Sequence, residues 1–205
     1  MEQQQYVALV PVKPPAVGKS RLGLTDDRRR GLAAAFALDT VVACLATRPV
    51  AQVLAVTDDA AFARDLAAVG CSVLPDGPSG DLNTSLVLAA AEARRRWPTL
   101  RPVAVCADLP ALRPDDLAAA LAMAGEHEAA FVTDEAGRGT TMFTAVDHQF
   151  LPRFGPDSRT AHLEAGAVEL SGPLPTLRQD VDDLVDLARA AALGLGPHTA
   201  RLELP

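Results

Sequence analysis

Short apolar runs rich in Val alternate with longer Ala-rich segments along most of the chain, and this alternation restricts the fold more than any other feature. Residues 6–12 (YVALVPV) and 50–57 (VAQVLAVT) are typical of strands that are buried on both faces. Segments of helical length and high helix propensity follow them, the first running to about residue 46 and the second covering 60–69. Strands that alternate with helices favour a parallel sheet. The sequence therefore predicts an α/β fold with a mainly parallel central sheet and helices on both faces.

Capping residues and turn-forming residues mark the other elements of this predicted sheet. Asp26 or Asp27 is the predicted cap of the first long helix. Asn83 or Thr84 is the predicted cap of a helix that ends near residue 96, and Asp183 is the predicted cap of the last helix. Further strands are predicted at 71–74, 102–106, 129–133, 140–146, 168–170 and 177–181.

Length and composition indicate a single domain, 1–205, with no membrane-spanning segment. A chain of 205 residues with 49% hydrophobic and 22% charged residues can bury one core of ordinary size. No apolar run approaches the roughly 20 residues that a membrane span needs. The polar N-terminus, residues 1–6, does not resemble a signal peptide, so we expect a cytoplasmic protein. The net charge of -7, without a basic face, argues against general nucleic-acid binding.

The cysteines and histidines form no recognisable site in the sequence. Cys44, Cys71 and Cys106 are far apart and contain no C-x-x-C pair, which favours small buried apolar roles. None of the four histidines lies at the spacing of metal ligands, so a surface or core position is the expectation for each.

Both lysines of the chain lie in one short segment after the first strand. The sequence has 19 Lys and Arg residues, of which only Lys13 and Lys19 are lysine. The lysine ammonium contacts phosphate as a compact point charge. Gly18-Lys19-Ser20 is not a P-loop, because Lys13 stands where that motif needs its first Gly. We predict that Lys13, Lys19 and Arg21 hold a polyphosphate by side-chain charge; the alternative is a solvated basic turn.

Three aspartates are candidates for a metal site. Asp108 directly follows a predicted buried strand, so its carboxylate would be held rigidly in the cleft. Asp180 and Asp182 are two apart on a predicted strand and would point to the same side, with Val181 facing the core. Two such carboxylates repel unless a cation or another partner joins them, and Mg²⁺ prefers oxygen ligands. The alternatives are that Asp108 is an N-cap or turn residue and that Asp182 or Asp183 caps the last helix.

Three further loops suit close approach of a ligand. The segment 80–83 (GDLN) precedes a helix and offers backbone N–H groups to an anion or to the edge of a base. The segments 137–141 (GRGTT) and 153–158 (RFGPDS) combine Gly-rich turns with hydroxyl groups, which suit a phosphate or a carboxylate. Each of them alone is more often just a turn.

Taken together, these residues resemble a known family. It is the family of guanylyltransferases that act on 2-phospholactate or phosphoenolpyruvate in the synthesis of coenzyme F-420. The segment 108–110 (DLP) is also similar to the broader nucleotidyltransferase group. The matching strings occur in consistent order over nearly the whole chain: Val12-Lys13, Lys19-x-Arg21-Leu22, Leu82-Asn83, 108–110, Gly139-Thr140, 153–158, Gly166-Ala167 and Asp180-Val181-Asp182.

The resemblance implies a nucleotide-diphospho-sugar-transferase-like Rossmann fold and a reaction in which the acceptor's phosphate attacks the α-phosphorus of GTP and pyrophosphate leaves. It implies a Mg²⁺ cofactor, with catalysis by Lys13 and the three aspartates. Two departures are Ser20, a variable position, and Asp183-Leu184, where Thr-Pro is expected. The implied roles are magnesium binding by Asp108, Asp180 and Asp182, acceptor binding by Lys13, Thr140, Gly155 and Ser158, and nucleotide binding by Lys19, Arg21, Leu82 and Asn83.

Two alternatives stay open at the level of the sequence. One is a nucleotidyltransferase for another acceptor, such as the molybdenum cofactor or a sugar phosphate. The other is a nucleotide-binding regulator without catalytic activity, although pure binding would not need three aligned carboxylates. The expected partners are GTP and a small phosphorylated carboxylic acid, with hand-over of the product to the next enzyme of the pathway, and neither a nucleic acid nor a membrane.

Overall fold

The computed structural model describes residues 4–12, 24–76 and 80–204. Lys13, Lys19 and Arg21 lie outside the described residues, so the predicted polyphosphate-binding loop stays a prediction. Within the described residues, none of the helices is both long enough and apolar enough to cross a membrane.

In this part of the chain, seven strands form one sheet in the order β3-β2-β1-β4-β6-β5-β7. Their pairing is parallel except along β6, which runs antiparallel to both of its neighbours. The mainly parallel sheet expected from the sequence is therefore present. The strands are β1 (Tyr6–Pro11), β2 (Val50–Val56), β3 (Ser72–Leu74), β4 (Arg101–Val105), β5 (Ala129–Val132), β6 (Met142–Ala145) and β7 (Val168–Glu169).

Helices pack against both faces of the sheet, as predicted. Alternate residues of β1 show this, because Ala8 and Val10 belong to one buried cluster while Val7 and Leu9 belong to another. The first cluster includes residues of α1, α2 and α4, and the second includes residues of α3. The helices of the described residues are α1 (Asp26–Ala46), α2 (Ala60–Ala68), α3 (Leu82–Arg96), α4 (Pro114–Ala124), α5 (Ser158–Glu164), α6 (Pro175–Arg178) and α7 (Leu184–Leu193).

The antiparallel β6 decides which loops meet. Val105, the last residue of β4, pairs with Met142, the first residue of β6. The segment before β6 therefore lies at the carboxyl edge of β4, which is the edge where ligands bind in open α/β sheets. This pairing brings Thr140 to the same edge as Asp108.

Several local predictions were wrong. The strand expected at 177–181 does not form, because α6 ends at Arg178 and an irregular segment follows it. Thr25 rather than Asp26 or Asp27 is the N-cap of α1.

Asp81 rather than Asn83 or Thr84 caps α3, because its carboxylate accepts a hydrogen bond from the Thr84 N–H. Asp183 is confirmed as the N-cap of α7, with the reciprocal capping box completed by Asp186.

Candidate active site

Asp108 lies just beyond the carboxyl end of β4. The Cys106 N–H donates to the carbonyl of Thr141 at 2.9 Å, which continues the pairing of β4 with β6 by one residue. On the other side the Thr40 hydroxyl of α1 accepts from the N–H of Leu109 at 3.1 Å, and Leu109 is fully buried. Asp108 is thus fixed from both directions while its side chain stays partly exposed.

The segment that carries Asp180 and Asp182 is attached directly to Asp108. The Val181 N–H donates to the Asp108 carbonyl at 3.1 Å. The Val181 side chain is fully buried in a cluster with Phe36 and Leu187. Val181 points into the core, whereas one carboxylate oxygen of each of its neighbours, Asp180 and Asp182, lies within 4.8 Å of one of Asp108. The arrangement predicted for a strand is therefore reached in an irregular segment.

Two residues that the sequence did not single out hold this segment in place. Asp116 of α4 accepts hydrogen bonds from both the N–H and the hydroxyl of Thr176, at 2.8 and 2.6 Å. Arg178 donates to the carbonyls of Thr133 and Leu170, at 3.1 and 2.8 Å, and so ties α6 to the ends of β5 and β7. These contacts stabilise α6, which occupies the first two residues of the strand predicted at 177–181.

The structure brings the three predicted carboxylates together. One carboxylate oxygen from each of Asp108, Asp180 and Asp182 lies within 4.8 Å of the others. Asp108 and Asp180 are partly buried and Asp182 is exposed. Three carboxylate oxygens at this separation fit a hard divalent cation such as Mg²⁺, which takes oxygen ligands and retains bound waters. Their role in binding a metal stays a prediction.

Thr140 and Ser158, two of the residues predicted to bind the acceptor, are in contact. The Ser158 hydroxyl lies 3.1 Å from the Thr140 hydroxyl, and both side chains are buried. Gly155, in the loop before Ser158, has φ +140, a conformation that favours Gly. Thr140 therefore lies in the loop before β6, at the edge next to Asp108, and adjoins the start of α5 and the loop that precedes it.

The loop before Thr140 is organised by a carboxylate. Asp134 accepts hydrogen bonds from the backbone N–H groups of Arg138 and Gly139, each at 2.8 Å. A Cβ at Gly139 would collide with this carboxylate, which explains the second Gly of the GRGTT segment. Arg138 also forms an ion pair with Asp157 at 3.0 Å, and its carbonyl accepts from the Arg159 N–H. The two loops are thus connected to each other.

Asn83 contacts the protein backbone through its whole amide group. Its Nδ2 donates to the Phe154 carbonyl at 2.9 Å, and its Oδ1 accepts from the Phe154 N–H at 2.8 Å. Asn83 therefore attaches the start of α3 to the 153–158 loop. The neighbouring Leu82 packs against the buried cluster on the α3 face. Contacts of Leu82 and Asn83 with a nucleotide stay predictions.

His162 was missed by the sequence analysis as a residue of this site. It is fully buried on α5, one turn after Ser158 and on the same face of the helix. Its ring nitrogens contact the Thr140 hydroxyl at 3.1 Å and the Arg153 N–H at 3.0 Å. Burial lowers the pKa of His162 from 6.5 to about 4, a hydrogen bond to the Ser158 carbonyl opposes this shift, and the Arg153 charge adds to it. The i, i+4 spacing from Ser158 is the signal that could have identified it.

Curated relatives match nearly the whole chain. It is 50% identical over 200 residues to the phosphoenolpyruvate guanylyltransferase of Streptomyces coelicolor, covering 96% of this chain and 94% of that protein. It is 46% identical over 204 residues to the protein of the same name from Salinispora arenicola, covering 97% and 94%. No family model matches the chain.

Solved structures support the fold. A putative nucleotide-diphospho-sugar transferase from Desulfovibrio desulfuricans superposes with a TM-score of 0.71 at 17% identity, covering 96% of this chain and 93% of that chain. The 4-diphosphocytidyl-2C-methyl-D-erythritol synthase from Anaerococcus prevotii superposes with a TM-score of 0.62 at 10% identity, covering 93% and 96%. The fold is therefore that of the nucleotide-diphospho-sugar transferases, as the resemblance implied. With relatives this similar over this much of its length, the chain belongs to the phosphoenolpyruvate guanylyltransferase family of nucleotidyltransferases.

Proposed function

We propose that the protein transfers GMP from GTP to phosphoenolpyruvate and releases pyrophosphate, as a step in the synthesis of coenzyme F-420. The observation that carries the proposal is the meeting of Asp108, Asp180 and Asp182 within 4.8 Å at the carboxyl edge of the sheet. The hydroxyls of Thr140 and Ser158 lie at the same edge and offer donors to the phosphate or carboxylate of the acceptor. The names of the relatives supply the substrate pair.

The nucleophile of this reaction needs no general base. The second pKa of a phosphate monoester is near 6, so the phosphate of the acceptor is mostly dianionic at neutral pH. His162 is unsuited to be a base, because it is fully buried and both of its ring nitrogens are hydrogen-bonded within the protein. The acceptor's phosphate oxygen forms a bond to the α-phosphorus of GTP, and the bond from that phosphorus to the pyrophosphate oxygen breaks.

The protein must instead bring two anions together. Unit charges about 4 Å apart repel by about 4 kcal/mol at an effective dielectric constant of 20. Magnesium held by the three aspartates would neutralise charge on the phosphates and orient them. We propose that Lys13, Lys19 and Arg21 add positive charge beside these phosphates. Positioning and charge neutralisation then provide most of the rate acceleration.

The proposal is tested by incubating the full chain with GTP, magnesium and either phosphoenolpyruvate or 2-phospholactate. The product is identified by its mass, and pyrophosphate release is measured in parallel. We expect a guanylylated acceptor with phosphoenolpyruvate and no turnover when the acceptor is omitted. Pyrophosphate release with 2-phospholactate but not with phosphoenolpyruvate would correct the substrate. A sugar phosphate and a pterin phosphate are assayed in the same way. Turnover with one of these, and with neither of the two carboxylic acids, would overturn the proposal.

A further inference from the structure

The imidazole of His162 is enclosed by aromatic rings. Phe143 and Phe131 stack on it with centroids at 4.7 and 5.3 Å and interplanar angles of 21° and 27°. Phe154 meets it edge-on at 5.7 Å, with an angle of 81°. The three rings, with the full burial of the side chain, fix the plane of the imidazole. Its two nitrogens are consequently aimed at defined partners.

One of these partners determines which nitrogen carries the proton. The backbone N–H of Arg153 can only donate, so His162 Nε2, at 3.0 Å, must accept with an unprotonated lone pair. In a neutral ring the proton then lies on Nδ1. The lowered pKa of His162 agrees with a neutral ring at pH 7. His162 Nδ1 therefore carries the only N–H of the ring, which is shared between the Thr140 hydroxyl oxygen at 3.1 Å and the Ser158 carbonyl.

The donated proton fixes the role of the Thr140 hydroxyl. Its oxygen accepts from His162 Nδ1 and from the Ser158 hydroxyl, both at 3.1 Å. A hydroxyl has two lone pairs and one proton. Because both lone pairs are used, the Thr140 hydroxyl proton is free to donate a hydrogen bond to an incoming anion. The hydroxyl is thus held as a donor rather than as an acceptor, which suits a phosphate or carboxylate ligand.

The other nitrogen of His162 holds the loop that carries Gly155. His162 accepts from the Arg153 N–H, and Asn83 accepts from the next N–H along the chain, that of Phe154. Two successive peptide groups are therefore fixed by side chains from α5 and α3. This double attachment places the turn at Gly155 relative to Thr140.

We infer that His162 is a positioning residue for acceptor binding. It orients the Thr140 hydroxyl as a hydrogen-bond donor to the anionic acceptor, and it fixes the 153–158 loop. The inference rests on the proposed function, because Thr140, Gly155 and Ser158 are the residues proposed to bind the acceptor. His162 itself acts through these groups and does not contact the reacting atoms. Binding of GTP does not depend on His162 in this arrangement.

The kinetic test is the variant His162→Phe. Phenylalanine preserves the stacked ring but has neither hydrogen bond. We expect the KM for phosphoenolpyruvate to rise about 10-fold or more, while the KM for GTP stays within about twofold of that of the original protein. An unchanged acceptor KM in a folded variant would overturn the inference. So would equal increases in both KM values, because they indicate general loosening of the site.

Thr144→Val is the matched control. Thr144 is fully buried on β6, where its hydroxyl donates to the Pro102 carbonyl at 2.7 Å and accepts from Arg101 Nε at 3.2 Å. Pro102 and Arg101 lie at the amino end of β4, opposite the candidate site. This variant also loses two buried hydrogen bonds, yet it should keep the acceptor KM of the original protein. A rise in its acceptor KM equal to that of His162→Phe would show that lost stability, rather than positioning, is responsible.

A second measurement does not depend on turnover or on the folding of a variant. NMR of the original protein with nitrogen-labelled histidine reports which ring nitrogen of His162 is protonated. We expect a proton on Nδ1 and a hydrogen-bonded, unprotonated Nε2 at pH 7. A proton on Nε2, or a charged ring, would overturn the inference. Failure of the original protein to use any acceptor, combined with the expected tautomer, would count against the proposed function instead of against the geometry of His162.

Discussion

The two sides of the candidate site differ in charge and in burial. On the metal side, Asp108, Asp180 and Asp182 bring three carboxylates within 4.8 Å, and one of the three is exposed. On the acceptor side, Thr140 and His162 belong to a network of neutral, buried groups. Like charges this close repel unless a cation or another partner joins them, whereas the neutral network satisfies its own hydrogen bonds. A cation bound on the first side would relieve this repulsion, whereas the second side is arranged by hydrogen bonds within the protein.

The largest expected effect is loss of turnover on the metal side. Asp108→Asn should lower kcat/KM by about 10³-fold or more, because one ligand of the proposed metal site loses its charge. Asparagine has nearly the same size and shape as aspartate, so the melting temperature should change little. Asp65→Asn, which changes an exposed carboxylate on α2, is the control and should keep full activity. Normal turnover of Asp108→Asn would remove the metal-site proposal.

The acceptor side should instead show its effect in the pH dependence of stability. The unfolded chain binds a proton on His162 near pH 6.5, whereas the folded chain does so near pH 4. The contribution of the neutral His162 ring to the free energy of unfolding is therefore fully present above pH 6.5 and is lost as the pH falls toward 4. At pH 4 the loss is about 3 kcal/mol, since one pKa unit corresponds to about 1.4 kcal/mol.

Chemical denaturation at a series of pH values measures this loss. Between pH 7 and 4, the unfolding free energy of the original protein should fall relative to that of His162→Phe, which has no titrating ring. Parallel curves for the two proteins would mean that the neutral, buried imidazole is not a determinant of stability.

Magnesium should stabilise the protein through the three aspartates. At about ten times its Kd, the ion should raise the free energy of unfolding by about 1.4 kcal/mol. The gain should be smaller in Asp180→Asn, and potassium chloride at the same ionic strength should not reproduce it. Thermal unfolding with and without magnesium measures the effect. An equal gain in the variant would place the bound ion elsewhere.

The smallest expected effect is a change in stability, which distinguishes the role of Asp183 from that of the neighbouring Asp182. Asp183 caps α7 by accepting from the N–H groups of Val185 and Asp186, at 2.8 and 3.0 Å. Asp183→Ala should therefore cost about 1 kcal/mol of stability, with little change in kcat/KM. Asp182→Ala should do the reverse, with a large loss of turnover and little loss of stability. If both variants behaved alike, the division between capping and metal binding would be wrong.

Local sequence was sufficient for the features that depend on one segment. The apolar run of β4 predicted a buried strand that ends just before Asp108. The position of Asp108 at the carboxyl edge of the sheet follows from that strand alone. Asp183 was identified as a cap because a capping carboxylate and its N–H partners lie within three residues of each other. The common side of Asp180 and Asp182 was predicted from the alternation of a strand, and their carboxylates do meet although the segment is irregular.

Other features depend on contacts between distant residues, and the sequence pattern did not contain them. Residues 177–181 read as a strand, but Asp116, 60 residues before Thr176, fixes a helical turn there. Asn83 was a predicted cap of α3, but Asp81 is the cap, and the Asn83 amide meets Phe154, 71 residues away. For His162 the sequence indicated no more than a surface or core position, whereas the structure places its ring between Thr140 and Arg153.

The sequence by itself determined the α/β alternation, the mainly parallel sheet and the identity of the three carboxylates. The tertiary structure decided that β6 runs antiparallel, and this reversal brings Thr140 to the edge where Asp108 lies. It also decided which buried polar groups pair with one another. The physical reason is that periodicity and capping are short-range properties of the chain, whereas a buried donor must find its acceptor in the folded core, wherever that acceptor lies in the sequence.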